Sequence, residues 1–298
     1  MADLDGKTAV VGDSHAHVAM NGVDYRQAME RQAAGPDEQH IRTVFEAYAT
    51  RGITFVRDGG DCYGVSERAR GIAAEYGIDY RSPLFAIHKR GCYGSIVGRS
   101  FTTLREYAAL VDELSAKQAD FVKIMTTGIM DFDVYGRIVG GDGLDPTELR
   151  EMVHIAHEQG FSVMSHTNGP RAVLEAVEAG VDSIEHGNYL DGTCIAALAD
   201  AGTCFVPTAT VARNLMGTGR FDEGVVARIW ETSRENILKA ADAGVVLAVG
   251  SDAGAVGVPH GSGTLDEFAC FVDALGEERA LAVTTRGEAC IKERFRRR

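Results

Sequence analysis

The chain has 298 residues, 45% hydrophobic and 24% charged, with a formal net charge of -13; this is ordinary globular composition, and barrels of about 250 residues commonly form one domain with a sizeable core. The acidic balance repels phosphate backbones, and no basic stripe with interleaved aromatics offsets it, so nucleic acid is excluded as an expected partner. No apolar run approaches the roughly 20 residues needed to cross a bilayer, and the opening MADLDGK lacks the features of a secretion signal, so a soluble, cytoplasmic protein is expected, with no membrane partner.

Short β-rich runs alternate with longer helical stretches from end to end. In order the candidate strands are TAVVGDSHAHV, ITFVRDGG, YRSPLFAIH, DFVKIM, SVMSHT, SIEHG, TCFVPT and VVLAVGSDAG. The helices between them carry start and stop signals: Asp145-Pro146-Thr147-Glu148 opens one as a cap with Pro in the first turn, and Gly160 closes it. Gly180, Gly202 and Gly244 end three others just before a strand. About eight βα units result, the number a closed parallel barrel requires, and no linker interrupts residues 1–298. An open doubly wound sheet also alternates strands and helices, but it gathers its ligands at one crevice. Here the first, fourth, fifth, sixth and eighth strands each carry a metal-capable side chain near the carboxyl end. That distribution predicts an α/β fold of the (β/α)8 TIM-barrel type as a single domain.

In Asp13-Ser14-His15-Ala16-His17, His15 and His17 share one face of a strand and can grip one ion. Such a pair by itself fits ordinary surface or core histidines equally well. The loop after the third strand reads His88-Lys89-Arg90-Gly91-Cys92-Tyr93, unusually basic for an acidic protein, and is suited either to holding a substrate carboxylate or to simple solvation. In DFVKIM, alternation puts Phe121, Lys123 and Met125 inside the barrel and Val122 and Ile124 against the helices. A lysine there needs an ion pair, a lowered pKa, a covalent modification or an escape to the mouth. His166 and His186 each end a short run and are followed by loop residues. Asp252 ends a run too apolar to tolerate a carboxylate unless it is paired or bound. His260, in the loop after the last strand, faces either pocket or water. His40 and the helical pair His154 and His157 read as structural.

The six cysteines, Cys62, Cys92, Cys194, Cys204, Cys270 and Cys290, contain no CxxC pair, so neither a zinc ribbon nor a disulfide framework is expected; they fit a reducing compartment. The terminal RFRRR reads as a solvated charge run.

Four histidines, one lysine and one aspartate at the ends of parallel strands form a ligand set for zinc, manganese or similar divalent ions. This set, in this order, resembles the amidohydrolase superfamily over almost the whole chain. The phrases VRDGG, FVKIM, SHTNGPRAVLEAVEAGVDSIEHG, ALADAGTCFVPT and AVGSDAG are similar to its imidazolonepropionase and Xaa-Pro dipeptidase branch. The resemblance implies that His15, His17 and Asp252 hold one ion, that His166 and His186 hold a second, and that Lys123, carboxylated by carbon dioxide, bridges them; without that modification a single ion is implied. Zinc is the first expectation, with manganese or iron as alternatives. It further implies that water is activated to hydroxide, that Asp252 is the catalytic proton carrier, and that Tyr189 contacts substrate. Relatives of this branch usually carry a flanking β-sandwich, for which this sequence shows no segments. The expected activity is hydrolysis of an amide or other C–N bond in a small molecule, with a carboxylate on it left open. Deamination or ester or lactone hydrolysis on the same site, and a barrel that only binds, are the alternatives; homo-oligomerisation is left open.

Overall fold

A computed structural model describes residues 11–141 and 143–297. Residues 8–10 of the first predicted strand lie outside them. Strand β1 (Asp13–Ala16) pairs in parallel with β2 (Phe55–Asp58), and β2 with β3 (Asp79–Arg81). The same run bends at Leu84, whose φ is +66°, and resumes as β4 (Ala86–Lys89). Strand β4 pairs with β5 (Gly98–Phe101) on one edge and β6 (Val122–Met125) on the other. After an antiparallel hairpin of β7 (Ile129–Met130) and β8 (Ile138–Val139), the parallel series continues through β9 (Val163–Thr167), β10 (Ser183–His186) and β11 (Cys204–Val206). The predicted eighth strand is irregular: Phe205 bridges Leu247, and Ala16 bridges Ala253. The amides of Ser14 and Asp252 donate to the carbonyls of Val249 and His15, both at 2.7 Å, and close the ring. The ladder breaks there because Asp252 is left-handed, with φ +58°.

Helices α1 (Tyr25–Gln32) and α2 (Glu38–Ala49) follow β1, and α3 (Val65–Ala73) follows β2. Then α4 (Leu104–Ala116) follows β5, α5 (Pro146–Glu158) the hairpin, α6 (Pro170–Ala179) β9, and α7 (Gly192–Ala201) β10. Helices α8 (Thr210–Leu215), α9 (Glu223–Asp242), α10 (Ser262–Leu275) and α11 (Glu277–Arg294) complete the outer layer. The α5 start is the one predicted: the Asp145 side chain accepts from the amides of Thr147 and Glu148, with Pro146 in the first turn. Its residues Leu149, Met152, Val153 and Ala156 recur at helical spacing and are buried with the outward-facing Val122, Ile124 and Val163.

Inside the ring the side chains form layers, as a filled barrel requires. The floor, at the amino ends of the strands, is apolar: Phe55, Phe121, Met164, Cys204, Val206 and Ala248 pack with Ile291 and Phe295 from the C-terminal segment. Over residues 294–297 the terminal run is only partly solvated: Arg294 and Arg296 are exposed, but Phe295 is buried, Arg294 donates to the Gly202 carbonyl at 2.7 Å, and Arg297 donates to Ser115. Above the floor lies a buried ion pair of Arg57 and Glu185 at 2.8 Å, with the guanidinium over the Phe295 ring at 4.3 Å. The histidines, Lys123 and Asp252 occupy the mouth. Among the described residues, no helix is long and apolar enough to cross a membrane.

Candidate metal centre and its cavity

Alternation along β1 turns His15 inward, and the chain leaving β1 brings His17 beside it, ring centres 5.4 Å apart. Two glycines make the room. A Cβ on Gly59 would stand 2.2 Å from the His17 ring, and one on Gly250 would stand 2.8 Å from His15 Cβ. Asp252 reaches in from the last stave, its Oδ1 lying 3.4 Å from His17 Nε2 and 3.6 Å from His15 Nε2. Ligand atoms of these three residues all lie within 4.8 Å of one another. Lys123 Nζ is 3.0 Å from His15 Nε2. His186 stands 4.9 Å from His15 and 4.5 Å from His166, ring centre to ring centre. All six residues named from the sequence thus come together in one cluster.

Each of three imidazoles spends one nitrogen on the protein and leaves the other for the cluster. His15 Nδ1 is 2.7 Å from a Glu185 carboxylate oxygen, His186 Nδ1 is 2.8 Å from Thr208 Oγ1, and His166 Nε2 is 3.1 Å from the Gly128 carbonyl. Carboxylate and carbonyl partners fix the ring as a neutral donor on that side, with a lone pair on the other. Burial, assisted by the Lys123 charge, holds His15 and His17 far below the ordinary histidine range and His166 at about 3; for His186, burial is followed by the neighbouring His166 and then Lys123. Burial also lowers the Lys123 ammonium, against the pull of Glu185 and Asp252, and raises the Asp252 carboxyl, against the pull of Lys123. Four neutral imidazoles, a lysine that loses its proton readily and a carboxylate are a donor set that fits divalent cations. Strain concentrates here as well: of the six non-glycine residues with positive φ among the described residues, His186, Tyr189, Thr208 and Asp252 lie at or beside the cluster.

Sequence reasoning missed Glu185 and Arg57. Glu185 is fully buried, orients His15, and accepts from Arg57 and from Ser183 Oγ. Arg57, also fully buried, donates through Nε to the Ser14 carbonyl at 2.6 Å and through a terminal nitrogen to Ser183 Oγ at 3.1 Å. The signal was available: both are charged residues in apolar strands at positions that alternation turns inward.

The cluster opens into a cavity of about 480 Å³, walled by the β7–β8 hairpin and by the segment from Thr208 to Phe221. Most of the wall is apolar or aromatic, including Tyr25, Tyr93, Phe132 and Phe221, while Asn168, Asn188, Asp131, Asp133 and Arg220 supply polarity. The five substrate candidates stand elsewhere. His88 is buried with Nδ1 3.0 Å from the Lys89 carbonyl, Lys89 pairs with Glu148, and Arg90 Nε donates to Thr102 Oγ1 at 2.9 Å. Tyr189 packs edge-on against Tyr135 with ring centres 5.0 Å apart. His260 is buried with Nε2 3.1 Å from the His17 carbonyl, so it braces a candidate ligand from behind. None of the five lines the cavity; the side chain that brings a guanidinium to it is Arg220. His40 and His157 are structural, as expected: His40 Nε2 lies 2.8 Å from the Val18 carbonyl and His157 Nε2 lies 2.9 Å from Asp182.

A family model described as "Amidohydrolase family" matches residues 10–289. Among curated proteins, an uncharacterized protein of Mycobacterium tuberculosis is 31% identical over 119 residues, which is 38% of this chain and 32% of that protein. Ochratoxinase of Aspergillus niger is 30% identical over 114 residues, 36% of this chain and 23% of its own length. These matches span about a third or less of the relatives. Among solved structures, a Xaa-Pro dipeptidase with bound methionine has a TM-score of 0.76 at 21% identity, covering 95% of this chain and 75% of that one. A. niger ochratoxinase has a TM-score of 0.74 at 21% identity, covering 95% and 71%. At such identities the likeness is one of fold.

Proposed function

The chain belongs to the amidohydrolase family, and from that premise we propose that it hydrolyses an amide or related C–N bond in a small molecule, using two divalent metal ions. The observation that carries the reading is the convergence of His17, Lys123, His166, His186 and Asp252 on the cavity, with His15 packed against Lys123 and Asp252 behind them and the imidazoles held neutral. His15, His17 and Asp252 would hold one ion, and His166 and His186 the other. Lys123 would join both as a carbamate: its neutral amine forms an N–C bond to carbon dioxide and releases a proton, which turns a buried cation into an anionic ligand. Zinc suits the set best, with manganese or iron as substitutes.

Bound ions supply two things, a water acidified toward neutral pH and a polarised carbonyl. The rest falls to the chain. Asp252 takes the proton of the attacking water at a carboxylate oxygen and hands it to the leaving nitrogen, general base and then general acid. Burial raises its pKa, which suits a group that must both gain and lose a proton. Glu185 keeps His15 in register, and the hairpin shields the reacting centre from bulk water. The apolar wall favours a substrate with a bulky, aromatic or aliphatic body, and Arg220 offers a partner for its carboxylate.

The reading is tested by elemental mass spectrometry on protein purified without chelator, together with hydrolysis assays on N-acyl amino acids, dipeptides, and matched esters and lactones. About two ions per chain with amide turnover, abolished in Asp252→Asn, is the expected result. A metal-free protein that stays inactive after zinc or manganese is added back would leave only a binding barrel.

A further inference from the structure

The floor of the barrel holds a second reactive grouping, at the opposite end from the cavity. Cys204, at the amino end of β11, points into the floor among Phe121, Val206 and Phe295. Cys290, on the last helix α11, comes down beside it with the two Sγ atoms 3.2 Å apart, although 86 positions separate them in sequence. Both are free thiols. They differ in the way a reactive pair needs to differ: Cys204 is fully buried, whereas Cys290 is only partly covered. Arg294 is anchored on the Gly202 carbonyl at 2.7 Å and places its cation near both sulfurs. The hydrogen bond from the Cys204 thiol, followed by Arg294, draws the Cys290 thiol below the ordinary range, while the same contact and burial push Cys204 up.

We propose that Cys204 and Cys290 are a modification site, a dithiol that hydroperoxides oxidise to a disulfide clamping α11 onto the barrel floor. The Cys290 thiolate attacks the outer oxygen of the peroxide; the O–O bond breaks, a sulfenic acid forms, and the departing oxygen takes a proton to leave as water or an alcohol. Cys204, giving up its proton, then attacks the sulfenic sulfur; the S–O bond breaks and water leaves. Two thiols are oxidised and one peroxide is reduced. The cross-link closes a long loop that takes in α8, α9, the last stave, α10 and most of α11, and a longer loop restricts the unfolded chain more.

Exposed Cys62, whose thiol is raised by burial and by Asp61, is the internal control. The reduced, full-length protein is treated with hydrogen peroxide and followed by intact mass and non-reducing peptide mapping. The expected product has lost the mass of two hydrogens, links the peptides holding Cys204 and Cys290, melts about 5–10 °C higher, and reverts with a dithiol reductant. In Cys204→Ser, or Cys204→Ala if serine disturbs the floor, a sulfenic acid should accumulate on Cys290 and be trapped by dimedone. In Cys290→Ser, Cys204 should stay a thiol. The inference is overturned if Cys204 and Cys290 remain unlinked at peroxide levels that oxidise Cys62, or if trapping in the Cys204 variants finds Cys290 no more reactive than Cys62.

Discussion

Replacing Glu185 with Gln tests whether the buried middle of the barrel holds the mouth in place. The substitution keeps the shape but removes the charge that faces two partners, His15 at 2.7 Å and Arg57 at 2.8 Å. Arg57 has no water to turn to, since both side chains of the pair are fully buried. Breaking a buried pair from one side costs about 3–5 kcal/mol, equivalent to a drop of about 5–15 °C in a chain of this size. The second effect is local: His15 loses the partner that fixes its ring, and losses of that kind weaken metal binding by about 10–100-fold. Thermal melts of the chelated protein read the first effect, and competition with a chromogenic chelator reads the second. A Glu185→Gln protein that melts within about 2 °C of the parent and binds zinc within about twofold would refute the layered account of this barrel.

Lys123→Ala should lower bound metal from two equivalents toward one, and native mass spectrometry of the parent should show the added mass of one carbon dioxide that the variant lacks. Arg220→Gln should raise KM about 10–100-fold for carboxylate-bearing substrates and leave neutral analogues unchanged, the loss expected for a charge-assisted hydrogen bond. Glu267 is fully buried, accepts from the Thr210 amide at 2.6 Å, and has its pKa pushed up by burial to about 8. A raised carboxyl contributes stability that is present below its unfolded value and lost as pH rises through the folded one. The melting temperature of the parent should therefore fall between about pH 5 and pH 8 more steeply than that of Glu267→Gln, and parallel curves would contradict this.

Much of the site was legible because strand geometry is local. Residues two apart share a face, and a polar side chain ending an apolar run declares itself, which singled out His15, His17, Lys123, His166, His186 and Asp252. The same rule would have turned Arg57 and Glu185 inward, had every charged strand position been asked where it points rather than whether it could bind metal. The last stave was harder to draw, since its ladder gives way where Asp252 adopts a left-handed backbone. Beyond the cluster, the cavity lining was not legible. Whether a loop cation such as Lys89 faces the cavity or a neighbouring helix depends on packing with Glu148, 59 positions away. The terminal run was legible only in part for a similar reason: Arg294 and Arg296 are exposed as their charge suggests, while the burial of Phe295 is decided by its packing into the barrel floor.

Besides the Tyr135–Tyr189 ring contact, the hairpin across the mouth is held by the Tyr93 amide donating to the Gly140 carbonyl at 2.8 Å and by the Arg228 guanidinium 3.8 Å from the Tyr135 ring centre. Phe132 meets Phe221 with ring centres 5.1 Å apart, the Asp222 amide donates to Asp133 at 2.9 Å, and Tyr135 shares a hydrogen bond with Thr232 at 2.8 Å. It supplies Ile129, Met130, Phe132 and Val139 to the cavity wall but none of the six clustered residues. Substrate choice and reaction chemistry are thus written on largely separable stretches of chain, so that exchanging residues 129–141 as a cassette, with Gly128 kept because its carbonyl holds His166, would redirect what the barrel accepts while leaving its reactive end as it stands.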